Sequence, residues 1–145
     1  MVDPYQSNMA AQVRFVDKRL VRASVVAVLE GTIENRGLEL IHPASRCVRR
    51  GEIFELICTA ERSAKPGGRV DRATYLGFCE VQQAGLIRVG DAVTLCGRFL
   101  GKVAGFDETH APNHENIVVG VAPEMIPPPI RYALEDEVSF VHEHA

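Results

Sequence analysis

The stretch Ala92-Val-Thr-Leu-Cys-Gly-Arg-Phe-Leu-Gly-Lys-Val-Ala-Gly-Phe106 is the clearest indication of β structure in this chain. Its three glycines, Gly97, Gly101 and Gly105, would together cost a helix about 3 kcal/mol in helix propensity. The apolar residues around them instead predict a β-hairpin that turns at Gly97-Arg98. Glycines spaced four residues apart lie on one face of an extended strand, and this pattern is typical of a sharply coiled barrel strand.

Further strands are predicted on both sides of this hairpin. Residues 51–61 alternate so that Phe54, Leu56 and Cys58 share a wholly apolar face, which we expect to face the core. The other predicted strands cover residues 13–16, 22–29, 38–41, 75–82, 116–122 and 132–141. Between them, residues 62–74 are predicted to form a long loop, and the prolines of 123–129 an extended crossing.

The number and spacing of these segments indicate the fold class. Six to eight short strands, with glycine and proline between them and little helix, predict an all-β fold. We expect a small closed or partly open β-barrel, and closure is preferred because it removes the sheet edges. The 145 residues are the size of one domain, so we assign 13–145 to a single β-barrel domain and 1–12 to a flexible N-terminal segment.

Composition limits the function classes. No apolar run reaches the roughly 20 residues that span a bilayer, and no signal-peptide pattern opens the chain, so we expect a cytoplasmic protein that does not act at a membrane. A net charge of -3 and the lack of tryptophan argue against a nucleic-acid partner. The basic cluster Arg46, Arg49 and Arg50 is interpreted as a solvated loop.

The four cysteines indicate neither a disulfide framework nor a metal site. None lies within ten residues of another, so the chain has no CxxC pair. Cys58, Cys79 and Cys96 stand in apolar, strand-like surroundings, and they are predicted to be reduced, buried thiols.

Chemistry is concentrated in the segment Asp107-Glu-Thr-His-Ala-Pro-Asn-His-Glu-Asn116, which carries acidic, imidazole and carboxamide side chains between two predicted strands. A histidine and a carboxylate held at a barrel mouth can transfer protons without a metal. His114 is the leading catalytic candidate because it lies close to the following strand. Asp107 or Glu108 would orient it, and His110 completes the catalytic set.

Substrate-binding roles fall to nearby polar residues. Asn113 and Asn116 could supply carboxamide donors to a developing oxyanion. Arg98 and Lys102 could neutralise an anionic substrate. Such a set suits a lyase, isomerase or cyclase acting on a small polar molecule.

A divalent metal is a second interpretation of the same loop, with no cofactor otherwise indicated. His110 and His114, together with a carboxylate such as Glu115, could bind a divalent ion as two imidazoles and one oxygen ligand. Pro112 argues against a helix here, so the pair would have to act from a loop.

The alternative to an enzyme is a non-catalytic binding or assembly module. Aspartate and asparagine commonly cap turns through local backbone amides, and the two histidines could do no more than pack. We expect a homo-oligomer in either case. Convergence of Asp107, Glu108, His110 and His114 on an open pocket would favour the enzyme, whereas side chains that cap backbone would favour the module.

Two resemblances accompany these patterns. Gly85-Leu-Ile-Arg-Val-Gly-Asp-Ala-Val, Gly101-Lys-Val-Ala-Gly-Phe and Glu135-Asp-Glu-Val-Ser-Phe resemble successive strand entries in the second-domain barrels of translation factors. The block Gly105-Phe-Asp-Glu-Thr-His-Ala-Pro-Asn-His-Glu-Asn-Ile is similar to the central block of an uncharacterised family of small bacterial proteins. The first resemblance implies a small barrel, and the second implies no activity. A cyclophilin-like barrel also fits the size and β content.

Overall fold

Strands make up almost all the regular structure in the computed structural model, which describes residues 13–143. Within that range one turn of 3-10 helix, Pro123–Met125, interrupts the all-β pattern. The strands are β1 (Val21–Val28), β2 (Thr32–Ile33), β3 (Leu38–Glu39), β4 (Ser45–Val48), β5 (Ile53–Thr59), β6 (Arg69–Val70), β7 (Ala73–Gln83), β8 (Gly85–Arg88), β9 (Ala92–Leu95), β10 (Arg98–Asp107), β11 (Glu115–Gly120) and β12 (Glu137–Val141). The predicted all-β fold is confirmed.

Seven of these strands form a closed ring. They follow the order β1-β12-β9-β10-β11-β5-β7, and a pairing of β7 with β1 completes the circuit. Neighbours in the ring are antiparallel except β11 and β5, which run parallel. The short strand β2 extends the sheet on β7, while β3 pairs with β6 and β4 with β8 in two small separate sheets.

The strands of the ring share one main hydrophobic core, since alternate residues of each strand point to the same side. Phe54, Phe106 and Phe140 are among its largest fully buried side chains, and the rings of Phe54 and Phe140 pack edge to face. Full burial of one such side chain contributes about 2–3 kcal/mol, so these aromatic residues stabilise the ring strongly.

A second, smaller cluster covers the opposite face of β5. Leu38, Leu40 and Val70, from the segment that includes β3 and β6, pack there against Ile57. β5 is therefore buried on both faces. The predicted apolar core face of this strand is confirmed, and its other face, which carries Glu55, is covered as well.

The predicted hairpin is present as β9 and β10, with its turn one residue earlier than expected. Arg98 pairs with Leu95, which leaves Cys96 and Gly97 as the turn residues, both at positive φ. Gly101 serves a different purpose: a Cβ there would lie 2.2 Å from the carbonyl oxygen of Gly120 on β11. Glycine thus permits a tight turn at one position and close strand approach at the other.

Several local predictions are wrong. Residues 123–125 form a 3-10 helix within the predicted extended crossing, and only 137–141 of the predicted strand 132–141 is a strand. Residues 13–16 form no strand, and the loop predicted for 62–74 contains β6. Cys96 is exposed because it lies in the turn, whereas Cys58 and Cys79 are buried as predicted and burial raises the pKa of each thiol to about 12. The flexible segment assigned to residues 1–12 lies outside the described residues. Over the range 13–143, no helix has the length and apolar character to cross a membrane.

Candidate functional site

The parallel pairing of β5 with β11 creates the candidate site. Parallel neighbours begin at the same end of a sheet, so the chain entering β5 and the loop entering β11 lie side by side. In this register Glu115 pairs with Phe54, and Asn116 pairs with Glu55. The acidic loop 108–114 is therefore adjacent to the segment that joins β4 to β5.

Asp107 holds this loop in place. It is buried, and its carboxylate accepts hydrogen bonds from the backbone amides of Thr109 (3.0 Å) and Glu39 (3.1 Å). The side-chain amide of Asn116 donates a third, at 3.0 Å. Asp107 thus connects the start of the loop, its end and the neighbouring segment, and its oxygens are directed at these donors.

A cavity of about 550 Å³ lies between the 108–115 loop and the chain before β5. Its size is within the range usual for small-molecule sites. Its titratable lining residues are Arg46, Glu52, Glu108, His114 and Glu115. The rest of the wall is formed by Gly51, Ile53, Ala111, Pro112 and Asn113.

Glu115 is the most unusual group in the cavity wall. Its side chain is only 2% exposed, and its Oε2 lies 3.3 Å from Nε of Arg46. Its other oxygen, Oε1, has no hydrogen-bond partner. Nη2 of Arg46 lies 2.6 Å from Oε2 of Glu52, so one guanidinium bridges two carboxylates.

Burial raises the pKa of Glu115 from 4.5 to about 7. Arg46 opposes this change, while repulsion and hydrogen bonding from Glu108 and repulsion from Glu52 add to it. A carboxyl group donates a hydrogen bond only when it is protonated, so Glu108 and Glu115 can bond to each other only when one of them carries a proton. Glu115 is therefore a carboxyl group that gains and loses a proton near neutral pH.

His114 adds an imidazole to the same wall. Nε2 lies 3.4 Å from Oε1 of Glu55, an ion-pair distance that lacks the angles of a hydrogen bond. Nδ1 lies 2.9 Å from the side-chain amide nitrogen of Asn113, which makes Nδ1 the acceptor of the neutral ring and places the ring hydrogen on Nε2. The rings of Phe78 and His114 pack edge to face, with 5.0 Å between their centroids, and this contact fixes the plane of the imidazole.

His110 stacks on His114 but does not line the cavity. Their ring centroids are 5.0 Å apart, with an interplanar angle of 29°. On its far side His110 contacts Arg36, with Nε2 3.3 Å from Nη2, and Arg36 in turn donates to the Tyr75 hydroxyl. The structure thus brings Glu108 and His114 to the cavity, while Asp107 caps backbone and His110 packs behind the site.

Three predicted binding residues lie elsewhere. Arg98 is exposed at the start of β10 and donates to the carbonyl of Pro129. Lys102 pairs with Gly120 in the middle of the same strand. Because β10 is antiparallel to β11, it carries both cations away from Glu115. Asn116 is fully buried and bonded to Asp107, so Asn113 is the predicted carboxamide that reaches the cavity.

The predicted metal ligands do not form a centre. No group of three or more histidine, cysteine, aspartate or glutamate side chains in residues 13–143 is arranged to hold a metal ion. His110 and His114 stack face to face, and Glu115 pairs with Arg46 instead. The geometry gives the metal interpretation no support.

Sequence reasoning missed three site residues. Arg46 is half-buried between carboxylates, so the interpretation of its cluster as a solvated loop is wrong for this residue. Glu52 and Glu55 belong to the segment entering and forming β5. A glutamate within the otherwise apolar run of that strand is a signal that could have identified Glu55.

A second cavity, of about 430 Å³, is formed by the ends of β1 and β7 and the proline-rich crossing. Its wall is mainly apolar, and the Tyr132 hydroxyl in it donates to the carbonyl of Leu76. Within residues 13–143, the buried polar side-chain atoms that lack a hydrogen-bond partner all lie outside this second cavity. The first cavity is therefore the better candidate for chemistry.

Comparison with known proteins gives a family but no activity. Residues 15–141 match the model of a family of unknown function, DUF6917. No curated protein and no solved structure matches the chain. The resemblances to translation-factor barrels and to a bacterial family stay predictions. Because the family model covers most of the chain, the protein belongs to the DUF6917 family.

Proposed function

We propose that this protein is a small enzyme of the lyase, isomerase or cyclase type that transfers protons at the 550 Å³ cavity. The observation that carries the proposal is the state of Glu115: a buried carboxyl group in a cavity wall, ion-paired through one oxygen and unpartnered at the other. Buried carboxyl groups of this kind are enriched at catalytic sites.

Glu115 would act as the general acid or base. Catalysis by proton transfer is most effective when the pKa of the group lies near the working pH, and that of Glu115 is raised to about 7. Arg46 would hold the carboxylate in place through Oε2 and leave Oε1 for the substrate.

His114 would act as the second proton-transfer group. A substrate that displaces Asn113 reaches Nδ1, and a proton gained there gives an imidazolium whose Nε2 faces the Glu55 carboxylate. An acid and a base on adjacent residues suit reactions in which one proton is removed and another is delivered. Lyases, isomerases and cyclases share this requirement.

The test is solvent hydrogen exchange. The protein is incubated in D₂O with pools of small carbonyl compounds, hydroxy acids, amino acids and amines, and deuterium uptake is followed by NMR. We expect uptake in at least one compound, with the rate reduced about 10²–10⁴-fold in Glu115→Gln. The matched control is Glu124→Gln, since Glu124 is exposed on the 3-10 helix and absent from the cavity wall. Exchange in no compound, or equal exchange in Glu115→Gln, would overturn the proposal.

The alternative is a non-catalytic binding or assembly module. The observation that favours it is the role of Asp107, whose carboxylate accepts three hydrogen bonds that hold the loop in place. In that case the cavity would bind a ligand without changing it, and no compound would exchange hydrogen with solvent.

A further inference from the structure

The charge of the cavity determines which ligands it can accept. Its wall has three carboxylates, those of Glu52, Glu108 and Glu115, and one guanidinium, that of Arg46. With the His114 imidazole counted as neutral, the wall carries a formal excess of two negative charges when all three acids are ionised.

The guanidinium of Arg46 is already engaged by protein groups and is not free to bind an incoming ligand. Its Nη2 contacts Glu52, its Nε contacts Glu115, and its Nη1 donates to the carbonyl of Cys47 at 3.1 Å. An anionic ligand would have to compete with two carboxylates that already hold this guanidinium and would meet repulsion from a third. The wall therefore disfavours anions.

Glu115 supplies the point of attachment. Its side chain is only 2% exposed, and Oε1 accepts no hydrogen bond. A buried polar atom without a hydrogen-bond partner is destabilising, and a ligand N–H that donates to it removes that cost. Ile53, Ala111 and Pro112 line the same space and offer apolar contact to a short carbon chain.

We propose that the cavity binds a small organic cation and that its nitrogen, a primary ammonium or a guanidinium group, donates to Oε1 of Glu115. The inference rests on the proposed function, because it names the substrate class for the same cavity. A nitrogen cation fits better than a metal ion, since three-ligand groups are absent from the described residues. Charge-assisted N–H to carboxylate bonds are among the stronger contacts a small ligand can make.

The test uses three probes of matched size: propylammonium, propionate and 1-propanol. Each is titrated into ¹⁵N-labelled protein at constant ionic strength, and backbone amide shifts are followed. We expect saturable shifts in segments 46–53 and 108–115 with propylammonium alone, and at least tenfold weaker binding in Glu115→Gln. Glu124→Gln should bind as the wild type does. Glu108→Gln should also weaken binding. Because Glu108 is an exposed loop residue, this variant keeps the test valid if Glu115→Gln fails to fold.

Several outcomes would overturn the inference. These are propionate or propanol binding as tightly as propylammonium, propylammonium shifts outside the two segments or none at all, and unchanged affinity in both glutamate variants. The result is separable from that of the exchange experiment. Propylammonium binding without any exchange would leave this inference standing and remove the proposed function. Glu115-dependent exchange combined with a preference for propionate would support the proposed function and overturn this inference.

Discussion

Nε of Arg46 lies 3.3 Å from one carboxylate oxygen of Glu115, while the other oxygen of the same carboxylate has no hydrogen-bond partner. This one-sided pairing underlies the roles proposed for Glu115. It also depends on the parallel alignment of β5 with β11, which brings the segment before β5 to the loop before β11.

Asp107 is predicted to stabilise the loop and not to take part in chemistry. Asp107→Ala removes the acceptor for two backbone amides and one side-chain amide, and we expect the free energy of unfolding to fall by about 2–4 kcal/mol. Denaturant titration measures it. Asp71→Ala is the control, because Asp71 pairs with Arg69 at an exposed position and should lose less than about 1 kcal/mol. Equal losses in the two variants would contradict the bracing role.

His114 is predicted to matter for activity more than for stability. His114→Ala should reduce solvent-exchange activity about 10²–10⁴-fold, because the imidazole held beside Glu55 is lost from the cavity wall. His42→Ala changes an exposed histidine outside the cavity and should leave the rate unaltered. A His114→Ala protein that keeps the full exchange rate would exclude this histidine as an acid or base.

The role of Gly101 can be tested with a matched glycine on the facing strand. Gly101→Ala places a Cβ 2.2 Å from the carbonyl oxygen of Gly120, so β10 and β11 must separate at a cost of about 1–3 kcal/mol. Gly120→Ala meets its nearest atom at 3.7 Å and should be tolerated. Thermal unfolding compares them, and a Gly101→Ala protein as stable as Gly120→Ala would show that the strands are not closely held.

The strands were predictable because their signals are local. Three glycines in nine residues exclude a helix at β10, and the two-residue periodicity of β5 identifies its core face. The site was only partly predictable, because it depends on a parallel pairing between segments far apart in sequence. Nothing near Arg46 in the sequence indicates that Glu115 will lie beside it.

Local sequence patterns also could not assign the separate roles of Asp107 and Glu108. Asp107 and Glu108 are adjacent carboxylates with the same sequence context. The structure buries Asp107 among backbone donors at the end of β10 and leaves Glu108 on the cavity wall. Alternation along the chain predicts that the two side chains diverge, but only the position of the neighbouring segments decides which one faces the cavity.

The stability of the fold should depend on pH through Glu115. Its pKa is raised from 4.5 to about 7 on folding, so the folded state retains a proton that the unfolded chain has released. The stabilisation is complete below pH 4.5 and is lost as the pH rises through about 7. The difference in unfolding free energy between wild type and Glu115→Gln should therefore fall between pH 5 and pH 8, by on the order of 3 kcal/mol. Denaturant titrations at each pH measure it, and a constant difference, or one that rises with pH, would contradict the assignment.

The proposed function requires that Glu115 exchange a proton near neutral pH within the cavity. The most direct measurement is a ¹³C NMR titration of the glutamate side-chain carboxyl groups, with the signal of Glu115 assigned by its loss in Glu115→Gln. We predict a titration midpoint near pH 7, as burial beside Glu108 requires. A midpoint near 4.5 would show an ordinary carboxylate held by Arg46, and it would contradict the proposal that this group acts as an acid or base.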